Sequence, residues 1–131
     1  MGYSISDADD RSFRLGAWHA FSAMKIMLDI DLVLPLNYAA VLCLVGSSEH
    51  GVTVQDIMRD LGMTQAAASR AVQRLSQGSS ASKHVGVGLD LITRAVDPQE
   101  PRRHIYTLTA AGMTTLNSFL VHLNKIDLCP R

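Results

Sequence analysis

The chain has 131 residues, 47% of them hydrophobic and 18% charged, with 12 basic and 12 acidic side chains that leave a formal net charge of zero. That length suits one structural domain with its own core and excludes two, and so apolar a composition excludes disorder. No run approaches the roughly 18 uninterrupted apolar residues of a membrane span, and the N-terminus lacks a basic region followed by an apolar core, so the expected compartment is the cytoplasm with no membrane partner.

Residues 1 to 10 (MGYSISDADD) are polar and acidic, without periodicity, and read as a lead-in. From Arg11 to Leu34 no proline intervenes, and Phe13, Ala17, Ala20, Met24 and Met27 recur at alternating spacings of four and three, a coiled-coil-like seam. Leu15, Trp18, Phe21 and Leu28 add apolar surface at other angles. One stripe is enough to dock a helix on its own domain, so the surplus predicts a second copy of the chain as partner. Pro35 breaks this helix. LNYAAVLCLVGSS reads as the next, with Asn37 as its cap and Gly46 as its end, and it is apolar nearly all round, which makes it the central buried helix. Val52 is expected to pair as a short strand with a hairpin further on.

The stretch VTVQDIMRDLGMTQAAASRAVQRL, Val52 to Leu75, spells two short helices and a turn. Thr53 is a good N-cap with Asp56 three residues on, Gly62 tolerates the left-handed conformation that closes a helix, and Thr64 offers the next cap. In the second helix Ala68, Ala71, Val72 and Leu75 form the inward stripe. The other face presents Gln65, Ser69 and Gln73 flanked by Ala66, Arg70 and Arg74, with no carboxylate. Amides pair with adenine, arginine pairs with guanine and small residues permit close approach, so this face suits the base edges of a DNA major groove.

The serine- and glycine-rich run from Ser76 to Gly88 reads as a loop. Leu89 to Val96 and His104 to Leu108 alternate branched apolar and polar residues, as two strands of a hairpin do. Between them DPQEPRR makes a loop that carries Arg102 and Arg103 at its tip, with Arg94 on the preceding strand. Arginines on a projecting hairpin can enter a narrow, electronegative minor groove. Thr109 caps a last helix in which Met113, Leu116, Leu120 and Leu123 make a second seam, expected to pack with the first helix as a dimer platform.

Charge is divided along the chain. Residues 1–61 hold four basic side chains (Arg11, Arg14, Lys25, Arg59) against eight acidic, whereas residues 62–108 hold six basic against three acidic, so a positive footprint is confined to the helix-turn-helix and hairpin. Cys43 and Cys129 stand far apart with no CxxC or histidine-rich neighbourhood, and His19, His50, His84, His104 and His122 are dispersed. No metal site, cofactor or catalytic constellation is signalled, and the chain reads as a non-enzyme.

Helix, helix, helix-turn-helix, hairpin, helix is a mainly α winged helix-turn-helix with N- and C-terminal dimerisation helices. At GMTQAAASRAVQRL and DPQEPRRHIYTLTAAG the chain resembles the MarR family of bacterial transcription regulators, over about residues 35 to 115. Gly62, Thr64, Ser69, Arg70 and Leu75 match the family's recognition helix, and Asp97, Arg102, Arg103, Leu108, Thr109 and Gly112 match its wing and the start of the last helix. Three departures stand out: the long loop from Ser76 to Gly88, Glu100-Pro101 where an aspartate usually precedes the wing arginine, and one C-terminal helix where the family often has two. The resemblance implies a homodimeric regulator of bacterial type, in expectation a repressor, that binds double-stranded DNA. It also implies that a small-molecule effector or an oxidant could act on it, without naming one. The expected organisation is a lead-in and dimerisation helix over 1–34, a DNA-binding region over 35–108 and a dimerisation helix with tail over 109–131. DNA contacts are expected from Thr64, Gln65, Ala66, Ser69, Arg70, Gln73 and Arg74 on the helix and from Arg94, Arg102 and Arg103 on the wing. Dimer contacts are expected from Phe13, Ala17, Ala20, Met24, Met27, Leu116, Leu120 and Leu123. The competing expectations are a winged helix used for protein-protein contact, as an adaptor or antagonist of another regulator, and a plasmid- or phage-type repressor or initiator.

Overall fold

The computed structural model describes residues 7–76 and 88–125, with side chains from Asp10 onward in the first helix. Its elements are α1 (Asp7–Ile30), α2 (Leu36–Ser47), α3 (Val54–Leu61), α4 (Gln65–Leu75), β1 (Ile92–Val96), β2 (His104–Leu108) and α5 (Ala110–Asn124). Most of the serine-rich loop, and Cys129, lie outside the described residues.

The first helix stops four residues earlier than the proline alone predicts. Asp31 ends it, because its carboxylate accepts the Val33 amide (3.1 Å) and its carbonyl accepts the Leu34 amide (2.9 Å), a local turn that competes with the helical ladder. Pro35 itself, and not Asn37, occupies the N-cap of α2, where the fixed φ of proline suits the entry; the helix runs one residue past Gly46 to Ser47. At the other end of α1 the helix begins at Asp7, so the acidic residues counted as lead-in partly belong to it.

As its all-round apolar character predicts, α2 is central. Val41, Leu42 and Val45 are buried, and the helix packs against α3, α4, β2 and α5. The inward stripe of α4 (Ala68, Ala71, Val72, Leu75) and Ile57 of α3 complete the core beneath it. Ala23 and Met27 of α1 join the same buried cluster as Leu116 and Phe119 of α5, consistent with the close packing of those two helices.

β1 and β2 pair antiparallel with Ile92 opposite Leu108 and Val96 opposite His104. Val52 adds the expected bridge at the base, exchanging amide-carbonyl hydrogen bonds with Tyr106 (3.0 and 2.8 Å). The first strand is shorter than its apolar run, which begins at Leu89. The amides of Leu89, Asp90 and Leu91 instead donate to the carbonyls of Arg74 (2.9 Å), Ser76 (3.4 Å) and Leu75 (2.8 Å), so this segment closes the end of α4 before the hairpin starts.

The start of α5 is stitched to the same segment. The Thr109 amide donates to the Leu91 carbonyl (3.0 Å), the Thr109 hydroxyl donates to the Asp90 carbonyl (2.7 Å) and accepts the Gly112 amide (2.9 Å). This contact is close enough that a Cβ on Gly112 would stand 1.9 Å from the Leu91 carbonyl oxygen. Backbone cannot step aside as a side chain can. Gly112→Ala is therefore expected to destabilise the fold by about 1–3 kcal/mol, read as a lower urea midpoint at unchanged slope.

Candidate nucleic-acid interface

The helix-turn-helix is built from two capped helices and a glycine. The Thr53 hydroxyl accepts the Asp56 amide (3.1 Å) while the Asp56 carboxylate accepts the Thr53 amide (2.9 Å), a reciprocal capping box. The Thr53 amide is the largest influence holding the Asp56 carboxyl below its ordinary range. A carboxyl lowered in this way stabilises the fold above its unfolded value of about 4, and the contribution is lost as pH falls through the lowered folded value. Thr53→Ala should lower stability by about 1 kcal/mol. Asp56→Asn should flatten the acid limb of a stability-against-pH curve.

Gly62 closes α3 in the left-handed region (φ 67) and leaves only Met63 before the Thr64 cap of α4, whose hydroxyl accepts the Ala67 amide (3.1 Å). That short turn fixes α4 against α3. With its apolar stripe turned inward, α4 exposes Thr64, Gln65, Ala66, Ser69, Arg70 and Gln73 together. No acidic residue lies on α4. Arg74 departs from this set: it is half-buried, and its guanidinium donates to the Asp31 carboxylate at 3.0 Å.

Arg94, Arg102 and Arg103 are exposed on the projecting hairpin. Its tip is organised by Asp97, the acid on the far side of the loop from Glu100-Pro101. Asp97 accepts the Gln99 amide on its side chain (2.9 Å) and the Glu100 amide on its carbonyl (3.2 Å), and its own amide donates to the Arg103 carbonyl (2.9 Å). The Arg103 guanidinium stands 3.8 Å from its carboxylate, too long for a hydrogen bond, so Arg103 is steered without being held tightly. A cleft of about 590 Å³ separates the wing from α3, and it brings Arg59 and His104 beside Arg102 and Arg103. Arg59 is occupied by Asp56 and Asp60, each at 3.0 Å. His104, at the start of β2, is exposed, and nothing in the sequence distinguishes it from the other dispersed histidines except its position beside the arginine pair.

The helices outside this head leave apolar surface uncovered. Phe13 (63% exposed), Ala17, Phe21 (51%), Met24 (42%) and Leu28 (40%) stand at spacings of four, four, three and four along one side of α1, with Trp18 beside Phe21 at a ring separation of 5.4 Å. The seam drawn from the sequence needs correction at three places. Met27 and Leu116 are buried in the chain's own core and Leu123 is partly buried against it, whereas Leu120 stays exposed and Ala20 lies at the border. The packing of α1 on α5 buries Ala23 and Met27, so the free stripe runs through Phe21 and Leu28 in place of Ala20 and Met27. Cys43 is half-buried, and burial raises its thiol pKa, which disfavours the reactive thiolate.

Two helices joined by a short turn, followed by a two-stranded wing and flanked by two packed helices, make a winged helix-turn-helix. The fold is shared with solved MarR-family transcription regulators. Staphylococcus aureus MepR in complex with DNA superposes with a TM-score of 0.64 at 22% identity, over 86% of this chain and 82% of that one. MepR bound to ethidium bromide gives a TM-score of 0.65 at 19% identity, over 94% and 77%. A mutant of Lactococcus lactis ZitR gives 0.57 at 20% identity, and there the match covers 74% of this chain and only 57% of the ZitR chain. No protein-family model and no curated relative matches the sequence.

Proposed function

We propose that the protein is a homodimeric, sequence-specific DNA-binding transcription regulator of bacterial type, acting as a repressor in the cytoplasm. α4 lies in the major groove and the wing reaches the flanking minor groove. The observation that carries this reading is the outer face of α4: six exposed polar or small residues from Thr64 to Gln73, free of acids, on a helix whose two ends are both fixed by hydrogen bonds. DNA binding by MepR, which shares the fold, supports the same reading. Two copies related by a two-fold axis would present two such helices to successive major grooves, and the uncovered stripe of α1 is the surface that we assign to the second copy. Among the described residues no helix is long and apolar enough to cross a membrane. MepR also occurs with ethidium bound, which makes planar aromatic cations the first effector class to test.

The test is selection of bound sequences from a random DNA pool, followed by titration of the winning sequence at several salt concentrations. The expected outcome is a pseudo-palindrome with half-sites about one helical turn apart, bound with an affinity that falls steeply as salt rises. Failure to enrich any sequence, or an affinity indifferent to salt, overturns the reading and returns the exposed apolar stripe to the adaptor alternative.

A further inference from the structure

The platform of α1 and α5 and the reading head of α3, α4 and the wing must be held at a fixed angle if two recognition helices are to meet successive grooves. α1 packs on α5, whereas α4 packs on α2 and α3; the backbones of α1 and α4 approach each other at almost no point. Across that gap runs an ion pair joining residues 43 apart in sequence. The Arg74 guanidinium, on the last turn of α4, donates to Oδ2 of Asp31, the residue that terminates α1, at 3.0 Å, with the two side chains 30% and 22% exposed. Both partners are anchored in turn. Asp31 uses its other oxygen for the Val33 amide (3.1 Å). The carbonyl of Arg74 is taken by the Leu89 amide (2.9 Å), and the next two carbonyls by Leu91 and Asp90.

We propose that Arg74 is a positioning residue and not a DNA contact: locked to Asp31, it sets the angle between the recognition helix and the dimer platform. The proposal rests on the DNA-reading role of α4. An arginine paired with a carboxylate forms a unit of zero net charge, so Arg74 adds little to the positive footprint that Arg70 supplies. The Val33 amide, and after it Arg74, hold the Asp31 carboxyl below its ordinary range. A shift of the C-terminal end of α1, whatever drives it, is passed to α4 through this pair.

The experiment compares the full-length wild-type chain with Asp31→Asn, Arg74→Ala, Arg74→Lys and the Asp31→Asn/Arg74→Ala double variant, using the DNA that the wild type selects. Both single variants should weaken binding by a similar factor, on the order of tenfold, with the double variant no weaker than either and the salt slope unchanged. Arg74→Lys keeps the charge without the planar fork and should recover part of the loss. The opposite pattern overturns the proposal: Arg74→Ala lowering the salt slope while Asp31→Asn leaves binding intact or tightens it, as expected if Arg74 held a phosphate that Asp31 repels. A second measurement needs no DNA. Amide hydrogen exchange should quicken in α4 by roughly tenfold in Asp31→Asn and Arg74→Ala, with α5 unaffected. Equal acceleration everywhere, or none, sinks the positioning role. If the wild type selects no DNA, the functional reading has failed, and the exchange experiment still decides whether the pair holds α4.

Discussion

Arg70→Ala is expected to weaken binding to the selected DNA by about 2–6 kcal/mol and to relax base preference at one position in each half-site. A bidentate arginine-guanine contact discriminates by about 1–3 kcal/mol, and a two-fold dimer places the residue in both half-sites. The truncation should be clean, because Arg70 is exposed and its neighbours on the outer face are small or amide side chains that do not depend on it for packing. Circular dichroism and the melting temperature should therefore stay close to wild type. Arg103→Ala provides the contrast. Its side chain lies at the wing, 3.8 Å from Asp97, and the contact proposed for it is with the potential of the minor groove more than with base edges. Binding should fall for all sequences alike, and the salt slope should shrink by about one per lost contact. If Arg70→Ala also lowers affinity uniformly and reduces the salt slope, then α4 holds the backbone and does not read bases.

The head of the molecule is more legible in the sequence than its frame. Thr53, Asp56, Gly62 and Thr64 act within three residues of themselves, so their pattern alone announces the caps and the turn, and all four behave accordingly. The inward stripe of α4 comes from a 3.6-residue period over a helix too short to drift. What sequence reasoning misses depends on partners far away. Arg74 repeats the spacing of Arg70 and reads as part of the same face, and only the approach of Asp31 from 43 residues upstream takes it out of that set. Leu89 and Leu91 look like strand residues, yet the open carbonyls of α4 claim their amides first. Gly112 matches a motif, but the reason for the glycine appears only where the Leu91 carbonyl crosses it. The division of α1 between an inner and an outer apolar face is likewise undecided in the sequence, since both faces are rich in large side chains and the packing of α5 chooses one.

That choice leads to the second large effect. Phe21→Glu combined with Leu28→Glu should convert the protein to a folded monomer and reduce its affinity for the full palindrome by about 10²–10⁴-fold, the advantage that linking two modest half-site contacts confers. Both residues are substantially exposed, at 51% and 40%, so a charge there should not disturb the chain's own core. In a two-fold interface each substitution is met twice, and burying any one such apolar side chain is worth about 1.5–3 kcal/mol, so two acids per copy should outweigh what Phe13, Trp18 and Met24 still offer. Sedimentation at micromolar concentration measures the assembly, and binding to an isolated half-site should be little changed, which separates loss of the dimer from damage to the head. The competing surface is the connection between α1 and α2, where Leu32 and Val33 are each 79% exposed and Leu36 is 75% exposed. Leu32→Glu combined with Leu36→Glu should leave the dimer intact. Monomers from that pair, with dimers retained in the first, would move the interface from the stripe on α1 to this corner, beside Asp31.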